Sequence, residues 1–250
     1  MSYNRYLIKL FFVVIILSGT VPFLQAQELV NIVLVGKNGI TEDIKEAVSF
    51  VAVKHYPEGS FERLDYILHG PLQKLRTYTD AALTVLSGRS FEYDVQGHLS
   101  YTGYYSNNLK TGNWDRINDT GTMVKREHYE NGVLTNADVK DTIKKKVEIL
   151  YGDEREADFK GGSKNWIKYL QKNIDPDAGS KSVKGGQVML RFIVDTHGAT
   201  TNIYLQKSVE FVLDEEAIKV VQKSPVWIPA LQNGKTVNAY RRQPFTFIKE

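Results

Sequence analysis

The chain of 250 residues contains no cysteine. Without thiols it can form no disulfide, no thiolate metal site, no cysteine nucleophile and no lipid anchor on an N-terminal cysteine. Stability must therefore come from packing alone, which small domains achieve when sheets and helices share one core.

The chain also has few prolines, and neither sign of charge is in clear excess. The chain has seven prolines, so it offers no long, stiff polyproline spacer. Its formal net charge is +3, and leaving out Arg5 and Lys9 of the N-terminal segment reduces the balance to 30 basic against 29 acidic residues. This balance gives no electrostatic reason to expect a nucleic acid partner.

Residues 1–26 are predicted to be a cleaved secretory signal. Arg5 and Lys9 precede an uninterrupted apolar run at residues 10–17, and Ala26 is a small residue suited to cleavage before Gln27. The mature protein is then expected in the periplasm. The alternative is an inner-membrane anchor formed by uncleaved residues 7–24. A spanning helix needs about 20 apolar residues, and this segment reaches that length only by including polar and helix-breaking positions.

Residues 27–134 show the alternation and turn residues of an all-β region. Gly97 is followed at offsets of eight and eleven by Tyr105 and Asn108, and the same spacing recurs 24 residues later from Gly121. Each unit reads as two strands and two turns, which cannot bury a face alone, so stacked antiparallel hairpins are predicted. The tyrosines of this region are expected to pack across strands.

The segments Tyr93-Asp94-x-x-Gly97, Gly103-x-Tyr105 and Gly112-x-Trp114 resemble MORN-like β-repeats. The resemblance implies a ribbon of hairpins used for scaffolding or binding. Residues 135–158 are predicted to be a linker, with spacing around residues 144–150 that permits a short amphipathic helix.

Residues 159–250 show a different periodicity, which predicts an α+β domain with helices packed on a three-stranded antiparallel sheet. Ser163 is expected to cap a first helix whose buried face carries Trp166, Ile167, Leu170 and Ile174. Strict alternation predicts a strand from Val188 to Val194, returning through residues 203–205. A second helix is expected from Leu213, with Glu215 and Glu216 favoured by the helix dipole, and a last strand from Val237 to Ile248.

Several separated motifs in this segment resemble the C-terminal domain of TonB-family proteins. They are Phe159-x-Gly161-Gly162, Gly186-x-Val188, Phe192-x-Val194-Asp195, Glu215-Glu216-Ala217, the run from Ser224-Pro225-x-Trp227-x-Pro229 to Lys235-x-Val237, and Ala239-Tyr240-Arg241-Arg242-Gln243-Pro244-x-Thr246-Phe247. The resemblance implies a domain that binds a short extended peptide of an outer-membrane transporter, by adding it as a strand to the edge of the sheet.

The last strand is the predicted binding edge. Its candidate partner-binding residues are Val237, Ala239, Tyr240, Arg241, Arg242, Gln243 and Phe245. Adjacent arginines place one side chain toward a partner, or alternatively protect the edge against aggregation. Pro244 favours an edge position because it has no N–H to donate.

The N-terminal half departs from a TonB energy transducer, which has an uncleaved helix carrying a histidine and a proline-rich spacer. The first histidine here is His55. Binding without force transduction is therefore favoured. The alternative is an envelope scaffold or self-assembling adaptor, with a C-terminal domain that forms a homodimer by edge pairing.

No enzyme is expected. The five histidines lie at no metal-ligand spacing, and no G-x-S-x-G elbow or complete phosphate-loop pattern occurs. The sequence therefore predicts no catalytic residue, no metal site and no cofactor.

Overall fold

The computed structural model describes residues 28–139 and 154–249. The predicted signal segment and the possible helix around residues 144–150 lie outside these ranges. The described part is α+β, as predicted: a long antiparallel sheet is followed by helices and a three-stranded antiparallel sheet.

Ten strands form the first sheet, which we call the ribbon. They are β1 (Glu28–Gly36), β2 (Gly39–Thr41), β3 (Ala47–His55), β4 (Phe61–Ile67), β5 (Leu72–Tyr78), β6 (Leu86–Tyr93), β7 (Leu99–Ser106), β8 (Leu109–Ile117), β9 (Met123–Glu130) and β10 (Val133–Val139). From β3 to β10 each strand pairs with the next along the chain, while β1 lies between β3 and β2. The ribbon is therefore a meander built from consecutive hairpins, and β10 continues into the segment assigned to the linker.

The repeated glycines lie in the turns that the sequence predicted. Gly59, Gly97 and Gly121 have φ of 92°, 86° and 82°, a backbone conformation that glycine adopts without a steric penalty. The alternate turns contain Asn107-Asn108 and Asn131-Gly132, also at positive φ, as tight hairpins require.

The C-terminal elements follow in the predicted order with one additional hairpin. They are α1 (Gly162–Asn173), α2 (Ala178–Lys181), β11 (Gly186–Val194), β12 (Thr200–Lys207), α3 (Phe211–Gln222), β13 (Ala230–Gln232), β14 (Lys235–Val237) and β15 (Ala239–Phe247). The main sheet has the order β12-β11-β15, and β13 pairs with β14 separately.

Three local predictions were wrong. Gly161, not Ser163, is the N-cap of α1, and no side chain caps this helix. Ile167 is 54% exposed, because the face of α1 that is buried does not extend to every apolar residue of the helix. Val237 belongs to β14, since the Asn233-Gly234 turn folds that segment back onto Ala230 before the last strand begins.

The C-terminal core lies between the sheet and the helices. Alternate residues of β11 are fully buried, and they are Val188, Leu190, Phe192 and Val194. Trp227 packs against the rings of Phe159, Trp166 and Phe192 at centroid distances of 5.4, 5.1 and 5.4 Å. Trp227 is therefore a core residue.

Candidate functional site

Strand β15 has one paired and one unpaired edge. All nine of its residues pair with β11, from Phe247 opposite Gly186 to Ala239 opposite Val194. Within the described residues, no strand pairs with its other side. An unpaired edge presents N–H and C=O groups that can accept a further strand.

The side chains of the predicted binding strand divide between two faces. Phe245 is 3% exposed and belongs to the core, and the Trp166 Nε1 donates to Gln243 Oε1 over 3.0 Å on the same, helix-facing side. Arg241 is half-buried on that side. Tyr240, which is 65% exposed, and Arg242 point to the opposite face. This opposite face of the β12-β11-β15 sheet is called the outer face below.

The predicted residues are thus only partly brought together. Ala239 to Phe245 share one strand, whereas Val237 lies in the separate β13-β14 hairpin. Phe245 is too deeply buried to touch a partner with its ring. The main chain of β15 and its exposed side chains form the accessible part of the site.

Pro244 indicates which main-chain groups point outward. In an antiparallel pair, alternate residues exchange hydrogen bonds with the neighbouring strand. Pro244 lies within an unbroken register between β15 and β11. A proline is tolerated at such a position where its nitrogen points away from the neighbouring strand, because it has no N–H to donate. Tyr240, Arg242 and Thr246 share that orientation and direct their N–H groups to the free edge.

The opposite edge of the same sheet, on β12, is covered by the ribbon. Arg89 Nη1 donates to the Ile203 carbonyl oxygen over 3.4 Å, and the Tyr93 hydroxyl donates to the Leu205 carbonyl oxygen over 3.1 Å. Two residues further, Lys207 forms an isolated antiparallel bridge with His98. These alternate positions lie on one side of the strand, so the ribbon covers the β12 edge of the sheet, whereas the β15 edge is unpaired within the described residues.

The ribbon turn at Gly97 fits closely against the end of β12. The Ser208 N–H donates to the Gly97 carbonyl oxygen over 2.9 Å, and the Leu72 N–H donates to Ser208 Oγ over 2.7 Å. A Cβ at Gly97 would lie 2.3 Å from the Ser208 carbonyl oxygen. The contact between the ribbon and the end of β12 is called the joint below. Gly97 is needed at this joint as well as in its own turn, a role that the repeat pattern did not indicate.

A buried carboxyl group lies at this joint. Asp214 of α3 accepts hydrogen bonds from the Ser208 hydroxyl, the Val209 N–H and the Tyr66 hydroxyl of the ribbon. Burial raises the pKa of Asp214 to about 7, although these three donors favour the ionised form. The ribbon and α3 are thus joined through a group that titrates near neutral pH.

An open cleft of about 1140 Å³ separates the ribbon from α3 and β12. Lys54 Nζ and Glu215 Oε1 lie 2.5 Å apart across it, and Glu62 accepts from Tyr56 over 2.5 Å and pairs with Arg89 at 3.4 Å. These charged groups on its walls are therefore paired with one another.

Glu215 and Glu216 do not lie in the first turn of the helix, contrary to the dipole role predicted for them. Glu215 pairs with Lys54 of the ribbon, while Glu216 accepts from the Asp175 N–H over 2.8 Å and pairs with Lys219. Both carboxylates point sideways from α3 because its first turn begins earlier, at Phe211, with Glu210 as the N-cap.

Residues 28–139 and 154–249 contain no cluster of three or more histidine and carboxylate side chains able to hold a metal ion. No helix in those two ranges is both long and apolar enough to cross a bilayer.

Comparison with known proteins assigns the C-terminal segment. No curated protein and no solved structure matches the chain. The MORN-like resemblance of the ribbon finds no support from a matching family, although the region is rich in strands as predicted. One family model matches, and it covers residues 176–248, from just before α2 to just after β15. This segment is similar to the C-terminal part of Gram-negative bacterial TonB proteins.

Proposed function

We propose that the chain is a TonB-like envelope protein that binds extended peptides of outer-membrane transporters along the free edge of β15. The family match supports a role in envelope transport, and the matched family is an interaction domain rather than an enzyme. The observation that carries the proposal is that β15 pairs on one side only, within the described residues.

Strand addition would take its affinity from the main chain. The outward N–H groups of Tyr240, Arg242 and Thr246, with the carbonyl groups beside them, offer a ladder to an incoming segment. Specificity would come from alternate side chains, so Tyr240 and Arg242 contact the partner on the outer face while Arg241 and Gln243 flank it on the helix side.

The proposed location is the periplasm, after cleavage of residues 1–26. Within this proposal the chain binds its partner without transducing force, since force needs an anchor in the inner membrane. The ribbon would act as a MORN-like scaffold that holds the C-terminal sheet. Sequencing the N-terminus of the exported protein tests the location: a start at Gln27 supports cleavage, whereas retention of residues 7–24 supports an anchor.

Cross-linking tests the binding edge directly, because the chain has no cysteine of its own. Thr246→Cys places a single thiol on the free edge, and Thr201→Cys places one on β12, the covered edge strand. Both are incubated with a cysteine-containing peptide from the periplasm-exposed end of a transporter plug. Disulfide formation at Thr246→Cys but not at Thr201→Cys is expected. Equal yields, or none at position 246, would contradict strand addition at β15.

The same free edge also supports the second candidate, an adaptor that forms a homodimer by pairing β15 with its copy. Sedimentation velocity of residues 27–250 over a wide concentration range separates the two. A concentration-dependent dimer that the transporter peptide does not dissociate would favour self-assembly. A monomer at high concentration would argue against it.

A further inference from the structure

Two arginines face each other directly beside the free edge. Arg191 of β11 and Arg242 of β15 are register partners, so both side chains emerge on the outer face. Directly opposed residues of an antiparallel pair have Cβ atoms about 4.5–5.5 Å apart, and like charges at that distance destabilise the sheet. The pair therefore lowers stability unless an anion compensates it.

No compensating carboxylate lies within ion-pair distance of either arginine among the described residues. The Nε of Arg191 is buried and has no hydrogen-bond partner in that part of the chain. A buried donor without a partner costs free energy, which an incoming acceptor would recover. The expected repulsion and the unpartnered donor are separate grounds for expecting an anion at this position.

The surroundings of the pair position it for a ligand. Arg191 lies opposite Tyr204, its register partner on β12, and the Tyr204 ring stacks on Phe91 of the ribbon at 5.4 Å. Arg191 is half-buried beside this packed ring, whereas Arg242 is exposed at the edge. One arginine is thus confined and the other is accessible, and Tyr240 lies exposed two residues along the same face.

We infer that Arg191 and Arg242 form a carboxylate-binding site that selects an acidic side chain in the strand added to β15. This inference rests on the proposed function. A residue opposite Arg242 in the added strand has its side chain on the outer face, within reach of both guanidinium groups. Charge-assisted hydrogen bonds to arginine are short and strong, and the planar guanidinium suits a carboxylate.

The residues on either side of Arg242 on the outer face indicate which side chains the added strand would carry next to its acidic residue. Residues two places away in the added strand lie opposite Tyr240 and Pro244, whose rings offer apolar contact. The expected recognition pattern is therefore an acidic residue with an apolar residue two positions to each side.

Host–guest peptides test this pattern. Three synthetic peptides of nine residues, the length of β15, alternate threonine and valine and carry Glu, Gln or Lys at the centre. Calorimetric titration of residues 27–250 is expected to show that the Glu peptide binds about tenfold more tightly than the Gln peptide. The Lys peptide should bind most weakly, and the preference should shrink at high salt.

A matched pair of variants locates the effect. Arg242→Gln is expected to bind the Glu and Gln peptides with nearly equal affinity. Lys235→Gln, the same loss of charge on exposed β14, is expected to keep the wild-type preference. Equal binding of all three peptides by the unmodified chain would overturn the carboxylate site and leave strand addition standing. Binding of none would overturn both.

Thermal unfolding without peptide gives a second readout. Since the arginine pair is repulsive in the free protein, Arg242→Gln is expected to raise the melting temperature by about 1–4 °C. A lower melting temperature would show that Arg242 already has a stabilising partner within the chain, which would overturn the inference.

Discussion

The Tyr93 hydroxyl donates to the Leu205 carbonyl oxygen over 3.1 Å, and this contact joins the ribbon to the outer edge of β12. Both groups are buried, so neither can exchange the bond for water. The ribbon is thus attached to the C-terminal sheet through main-chain groups that a foreign strand would otherwise use.

Replacing Tyr93 by phenylalanine removes this donor and leaves the Leu205 carbonyl group buried without it. The free energy of unfolding is expected to fall by about 1–3 kcal/mol, measured by urea denaturation. Tyr104→Phe in β7, where the side chain is 49% exposed, serves as the control and should change stability by less than about 0.5 kcal/mol. An unchanged Tyr93→Phe protein would contradict the role of this contact.

Asp214 gives the joint a predictable pH dependence. Its pKa rises from 3.8 to about 7 in the folded protein because the group is buried. Between those values the folded chain keeps a proton that the unfolded chain releases, so the contribution of Asp214 to stability decreases as pH rises. Asp214→Asn should therefore remove a fall in unfolding free energy between roughly pH 4 and pH 7.

Chemical denaturation across that pH range checks the effect, with Asp119→Asn in an exposed turn as the matched control. Both variants replace one carboxyl group by an amide, so the difference between them reports the burial of Asp214 rather than the loss of one acidic group. Identical slopes in all three proteins would show that Asp214 titrates as an ordinary carboxyl group.

Trp227 should be a major determinant of stability. Its side chain is 4% exposed and contacts three aromatic rings, so Trp227→Ala leaves a large cavity and is expected to cost about 3–5 kcal/mol. Ile167→Ala is the contrasting variant, because its side chain is 54% exposed on α1. Thermal unfolding of both distinguishes them, and comparable losses would contradict the assignment of Ile167 to the surface.

Gly103 of β7 is required for the position of Trp114. A Cβ at Gly103 would lie 2.2 Å from the indole ring, which is itself 1% exposed. Gly103→Ala is therefore expected to destabilise the protein by about 1–3 kcal/mol through overpacking. In a Trp114→Leu background the same substitution should cost much less, and a double-mutant cycle measures that coupling. Additive effects would mean that the two residues do not compete for space.

Local patterns predicted the elements, whereas contacts between distant segments stayed hidden. Alternation from Val188 to Val194 was sufficient to place β11, because the signal lies within one strand. Lys54 and Glu215 are 161 residues apart, and no periodicity links them, so the sequence suggested only a helix-dipole role for the carboxylate. Their pairing depends on how the ribbon meets α3.

The candidate site shows the same division. The last strand was recognised, with Pro244 as a marker of an edge, but Val237 was included because the separate β13-β14 hairpin was not predicted. The opposition of Arg191 and Arg242 depends on the register between two strands that are separated in sequence by a strand, a helix and a hairpin. Register of that kind follows from the assembled sheet and cannot be read from either segment alone.

The covered edge of β12 limits the valency of the C-terminal sheet. With one border closed by the ribbon, strand addition as proposed would let a copy hold one extended segment at a time, without bridging two of them through this sheet. If two copies met through β15, each would occupy the border of that sheet that the other leaves open within residues 28–139 and 154–249. Such a contact closes as a two-fold pair and cannot extend into a filament through this sheet.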